Sequence, residues 1–370
     1  ALFNTLEDEN TAVGNASMAA NTTGECNTAL GSFSLCTNTT ADNNTAVGYF
    51  SLKANTTGNR NTSLGSTSLK TNTTGVNNVA SGFQSMNLNT TGSRNIAYGY
   101  SSLGSNTTGN CNTAIGCGSL GGNTTASNNT AVGFDSLKAN TTGTQNTATG
   151  YKALCKNTTA DFNTAYGSAA LRENQTGTLN VAIGHAALRV TTSDNNTGIG
   201  SCALYNNTTG ANNVSIGAAS LCSNTTACWN VAVGQVSMQK TNTGNRNAGL
   251  GHNHLSLNTT GSGNTAVGGL NPSTYPVMYA NTTGNHNSAF GAAALCANTT
   301  GSQNVALGYI AGNNITTGSN NIMIGKGACI DSATANNATS IGENVVSISG
   351  SVTFGNGGTD SRIAFGATSI

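Results

Sequence analysis

The chain has 370 residues, of which 7% are charged, with a net charge of +1, 48 glycines and only 2 prolines. A chain this uncharged lacks the basic face that neutralising phosphates requires, which argues against a nucleic-acid binder and against a polybasic membrane-surface protein. No apolar run approaches the ~20 residues of a membrane-spanning helix, so no membrane insertion is expected.

In chain order, residues 1–9 carry Leu2, Phe3 and Leu6 ahead of Glu7, Asp8 and Glu9, and are read as an N-terminal cap or the end of a preceding segment. From Asn10 the sequence repeats. Asn44–Arg60 reads NTAVGYFSLKANTTGNR and Asn61–Asn77 reads NTSLGSTSLKTNTTGVN, a period of seventeen residues that holds, with small departures, over residues 10–336. A fixed period outranks any local motif. Positions below are counted from the opening Asn of each coil.

Positions two and four are apolar or Thr, as in Thr45 and Val47, Ile96 and Tyr98, or Val181 and Ile183. Position three is small. This alternation with period two predicts a short β-strand in which positions two and four share one face and position three the other. Position five is Gly, at Gly14, Gly31, Gly48, Gly65, Gly82, Gly99, Gly116, Gly133 and onward. A glycine straight after a strand implies a corner with positive φ or a close approach of backbones. Position nine is Leu or Met, expected on a second short strand or extended edge and pointing inward against position four. Positions eleven to fifteen read xNTTG, a turn sequence.

A strand, a glycine corner, an apolar edge and an Asn-containing turn make one rung of a solenoid. The expected fold is therefore an all-β parallel β-solenoid, or β-roll, with coils spaced about 4.8 Å apart and a rod on the order of 100 Å long. A helix is excluded because none survives a Gly and an NTTG cluster in every repeat. With positions two, four and nine inside, as for Thr45, Val47 and Leu52, the small row at position three faces outward. That row, Ala46, Ser63, Ala80, Ala97 and Ala114, is expected to pack against another chain, most simply in a homotrimer. Position eight, as at Ser51, is similarly small.

The Asn at position twelve, Asn21, Asn38, Asn55, Asn72, Asn89, Asn106, Asn123 and Asn140, also opens an N-x-[ST] glycan-acceptor pattern. Acceptors about 4.8 Å apart leave no room for a glycan on each, so a stacked Asn ladder is the favoured reading. The two adjacent threonines that follow alternate in facing, which argues against the flat Thr ranks of an ice-binding solenoid.

The coil from Asn264 gains six residues, and its segment 269–279 holds both prolines with Tyr275 and Tyr279. It is read as a loop leaving the rod and as the candidate for a specific contact. Residues 337–370 are tightened C-terminal coils, the last two opening at Ser351 and Arg362. The 10 cysteines never recur at equivalent positions in adjacent coils, which excludes a vertical disulfide ladder, and no CxxC spacing occurs. His252 and His254 lack acidic or cysteine partners, and no nucleophile elbow or phosphate loop occurs in context. No catalytic, metal or cofactor site is expected, and the chain is not read as an enzyme.

The NTAVG, NTAIG and NVAVG strands inside NTAVGxxSLxxNTTGxx units resemble the shaft repeats of tail-fibre-type proteins of phages, large viruses and bacteria. They are also similar to the NSVAIG repeat in the heads of trimeric autotransporter adhesins. The resemblance covers residues 10–370 and is specific for architecture. It implies a homotrimeric extracellular fibre, on a virion or cell surface, that projects or attaches or builds a longer filament. A host or surface glycan or protein receptor would be its partner. The alternatives are an ice-binding or a glycan-binding β-solenoid.

Overall fold

The computed structural model describes residues 9–269 and 276–364, so the expected cap lies, but for Glu9, outside the described residues. The chain divides into two compact units, residues 1–183 and 184–370. In the first unit, three-residue strands recur from Thr11–Val13 to Val181–Ile183. In the second they recur from Thr197–Ile199 to Ile322–Ile324 and Thr339–Ile341. Within each unit successive strands are parallel and in register, as in Thr45↔Thr62, Ala46↔Ser63 and Val47↔Leu64. The fold is an all-β parallel β-solenoid of seventeen-residue coils, with no helix among the described residues.

The facing of the strand is the reverse of the expectation. Ala46, Ser63, Ala80, Ala97 and Ala114 are fully buried inside the coil of a single chain, while positions two and four on either side of them are half-buried or exposed. Thr45 and Val47 therefore lie outside and Ala46 and Ser51 inside. Alternation fixes that positions two and four share a face; it does not say which face is inner. Volume decides that. A Cβ added at Gly198, a position-three residue, would sit 3.0 Å from Leu188 Cγ, and one at Gly249 would sit 2.9 Å from Met238 Cγ. The large residue at position nine of one coil thus covers position three of the next, and only a methyl or hydroxymethyl group fits beneath it.

Leu52 and its equivalents are fully buried, but they lie in turns, not in a second strand. Positions seven and nine both adopt left-handed backbone geometry, with φ 56 at Phe50 and φ 50 at Leu52. That geometry costs an L-residue roughly 1–2 kcal/mol. Burying a leucine returns about 1.5–3 kcal/mol, and the tight turn aims backbone groups alternately at the two neighbouring coils. Phe50 N–H donates back to Ser32 O at 3.1 Å, while Leu52 N–H and Ala54 N–H donate forward to Ser68 O and Lys70 O, each at 3.0 Å.

At the corner, Gly48 has φ 131, and a Cβ there would lie 2.7 Å from the Gly65 carbonyl carbon and oxygen of the next coil. Both the dihedral and the stacking distance require glycine.

The insertion is shorter than the segment 269–279. Register resumes across it, with Thr265 paired to Ser288, and Val277 and Met278 are fully buried at positions eight and nine. At the other end, Ser351–Phe354 pairs in parallel with Thr339–Ile341, but Ser361–Ala364 pairs antiparallel with Ser351–Phe354. The segment around Arg362 is therefore the return arm of a hairpin and not a further coil. A second small parallel pair, Cys329–Ile330 with Val346–Ser347, forms beside it.

Candidate functional site

Three features recur through the coils: amide ladders inside, an apolar strand face outside, and an aromatic row beyond the corner. The ladder at position twelve is made of buried side chains. Asn38 Nδ2 donates to Asn21 Oδ1 at 2.8 Å and to Ala41 O at 3.0 Å, and the same pair of bonds repeats at Asn55, Asn72, Asn89, Asn106, Asn123, Asn140 and Asn157. A second column escaped the sequence reading. Asn61 N–H at position one donates to Asn44 Oδ1 of the preceding coil at 2.9 Å, and its Nδ2 reaches Gly75 O, at position fifteen of its own coil, at 2.8 Å. Its signal was the invariance of the opening Asn, which periodicity alone does not translate into a bonding role.

The twelfth-position columns are directional, each amide donating to the coil before it. A column ends where the next coil offers no amide donor. Thr241 follows Asn224 and Ile315 follows Asn298, while Asn174, after Asn157, turns its Oδ1 to Gly177 N–H at 3.0 Å. The Oδ1 atoms of Asn157, Asn224 and Asn298 are each buried without a partner.

On the outer strand face, position four is an apolar row. Leu30, Leu64, Tyr98, Ile115 and Tyr166 in the first unit, and Ile216, Leu250, Phe290 and Leu307 in the second, are all exposed. Thr56 at position thirteen turns its hydroxyl into the backbone, donating to Thr73 O at 3.1 Å. Thr57 at position fourteen is exposed, so the exposed Thr side chains of this turn stand in single file.

Beyond the corner, position six carries Phe83, Tyr100, Cys117, Phe134 and Tyr151 in five successive coils. Phe83 and Tyr100 stack at 5.9 Å between centroids with 16° between planes, and Phe134 and Tyr151 at 5.6 Å and 14°. Between the two stacks, Cys117 and Gly118 leave an open groove of about 710 Å³, whose lining includes Tyr100, Phe134, Gly121, Asn87, Asp135 and Lys138. Lys138 Nζ meets Asp135 Oδ1 at 3.0 Å, and that hydrogen bond raises the ammonium pKa. The Asn87 Oδ1 is buried with no partner.

Comparison with protein-family models, curated proteins and solved structures gives no match.

Of the two tyrosines of the inserted segment, Tyr275 lies outside the described residues and Tyr279 is half-buried. The insertion has a neighbour that the sequence reading set aside. His254 occupies position eight, where Ser or Ala is usual, and is fully buried. Its Nε2 lies 2.9 Å from Gly268 O, and Val277 N–H donates to its Nδ1 at 3.3 Å. The ring bridges the two ends of the excursion as the neutral Nε2–H tautomer. Burial first, then His252 nearby, lowers its pKa against the raising effect of the Gly268 carbonyl.

Among the described residues no group of three or more His, Cys, Asp or Glu is placed to hold a metal ion, and the ten cysteines are free thiols.

Proposed function

We propose that the chain is a structural shaft that assembles with further copies of itself, most simply as a homotrimer, and serves on a virion or cell surface to project or attach. The single observation that supports this reading is the exposed apolar row at position four. Scattered surface hydrophobics need no explanation, whereas an apolar stripe, interrupted here only by Ser81 and Thr149, marks an interaction surface. This stripe repeats at the coil spacing, about 4.8 Å, so a partner that covers it must present apolar groups at the same interval. Another copy of this chain carries such a row.

The small residues at position three no longer bear on assembly, because they are spent inside the coil. The face that does is the one first assigned to the interior. Closed rotational symmetry would bury the stripe and leave no open edge.

Sedimentation velocity of the purified chain tests the reading. The expected species has three times the 36.9 kDa mass of one chain, and Tyr98→Lys with Ile115→Lys should convert it to monomer without changing the circular dichroism. A wild-type chain that stays monomeric at high concentration overturns it.

A further inference from the structure

We propose that the groove at Cys117 binds a neutral oligosaccharide, one pyranose ring lying between Tyr100 and Phe134. The position-six row is a column of flat rings with one ring missing. Rings one coil apart stack at 5.9 Å and 5.6 Å. Tyr100 and Phe134 are two coils apart, about 9.6 Å at the usual strand spacing. A ring inserted midway would sit about 4.8 Å from each, inside the range of stacked pairs. Both flanking side chains are about half exposed, Tyr100 at 55% and Phe134 at 46%, so their faces are open to a ligand.

The chemistry of the walls and the rim selects the ligand. The face of an aromatic ring is negative, and the axial C–H groups of a pyranose carry partial positive charge, so the sugar's flat face suits both walls. Its hydroxyl-bearing edge then meets the rim, where the Asp135–Lys138 pair presents acceptors and donors. A planar hydrocarbon would stack equally well but would bond to none of the polar groups at the rim. An acidic sugar would find Lys138 already neutralised by Asp135. The groove draws its lining from four successive coils, about 14 Å from the first to the fourth, which suits an oligosaccharide over a single sugar. Gly116 and its equivalents turn the chain between positions four and six, so the groove and the apolar strand face lie on opposite sides of the corner and the proposal does not depend on assembly.

The test is titration of the full chain with cellotetraose, maltotetraose, chitotetraose and mannotetraose by calorimetry and saturation-transfer NMR. At least one should bind. Tyr100→Ala removes a wall and Cys117→Trp fills the slot, and each should weaken binding roughly tenfold or more. Tyr309→Ala, at position six of the second unit, should leave binding unchanged. Circular dichroism and sedimentation of all three variants should match the wild type; Tyr100 is exposed, so its truncation carries the test if the tryptophan variant misfolds. The proposal is overturned if no tetrasaccharide binds at millimolar concentration, or if binding survives both groove variants.

Discussion

At the scale of the residue, the coil depends on positions where one atom decides the outcome. A Cβ at Gly217 would lie 2.5 Å from the Gly234 carbonyl carbon and oxygen, on a residue with φ 130. Gly217→Ala combines a forbidden dihedral with overpacking and is expected to cost about 2–4 kcal/mol, read as a fall in the denaturant midpoint. His254 makes the opposite kind of prediction, one of condition. Its folded pKa is lowered from the usual 6.5, so the unfolded chain takes up the proton first as pH falls. The contribution of the neutral ring is fully present above 6.5 and is lost as pH falls from there through the folded value. Equilibrium unfolding at pH 7.5 and pH 5 should show this dependence in the wild type and less of it in His254→Ser; equal dependence in both would remove the ring from the account. The glycine requirement was legible in the sequence because nothing else recurs so strictly. The role of His254 was not, since a lone histidine on a variable position carries no signal until the chain closes around it.

At the scale of the coil, the interior tolerates exchange of volume between positions that touch. Coil 304–320 has Gly312 where Leu or Met is usual and Ile315 where Asn is usual, and the next coil answers with Met323 in place of Ala. Met323 Cε would lie 2.7 Å from a Cβ on Gly312, and Leu295 Cδ2 would lie 3.1 Å from it. The methionine thus fills the space that the missing leucine vacates. Met323→Ala alone should cost about 2–4 kcal/mol by leaving a cavity, and Gly312→Leu alone about 1–3 kcal/mol by overpacking. The double variant restores the regular pair and should be more stable than either. A strictly additive cycle would show that the two sites do not share the space. The same contact explains why the facing of the strand was misread. Position nine is legible as the large inward residue, but its inner partner is position three and not the apolar position four, because an apolar residue need not be an inner one. A coil this narrow holds one large side chain per rung, and the second large residue is left outside.

At the scale of the whole chain, the period was readable at once and with it the parallel solenoid, because twenty-odd copies of one pattern average out every local ambiguity. The groove between the ring stacks was not readable, since it depends on departures such as Cys117 and Gly118 that look like tolerated variation until their neighbours stack. The N-x-[ST] patterns belong to this scale as well. Asn38, Asn55, Asn72 and their equivalents are fully buried and spend both amide hydrogens inside the ladder, so a glycan there and a folded coil exclude one another. Protein made through a glycosylating secretory pathway and recovered folded should carry unmodified position-twelve asparagines by peptide mapping. Mass shifts at most of them in folded protein would contradict the ladder.

The unpartnered oxygens of Asn157, Asn224 and Asn298 give the ladders a mechanical meaning. Hydrogen bonds in a chain polarise and strengthen one another, so each run of amides resists shear as a unit and is weakest where the polarisation stops. A pulling force would therefore not fray the coils evenly. The first openings are expected just after these three residues, where the position-one column and the backbone bonds cross between coils without the twelfth-position amides, as in Asn163 N–H to Asn146 Oδ1 at 2.9 Å, much as a cable gives first at its crimps.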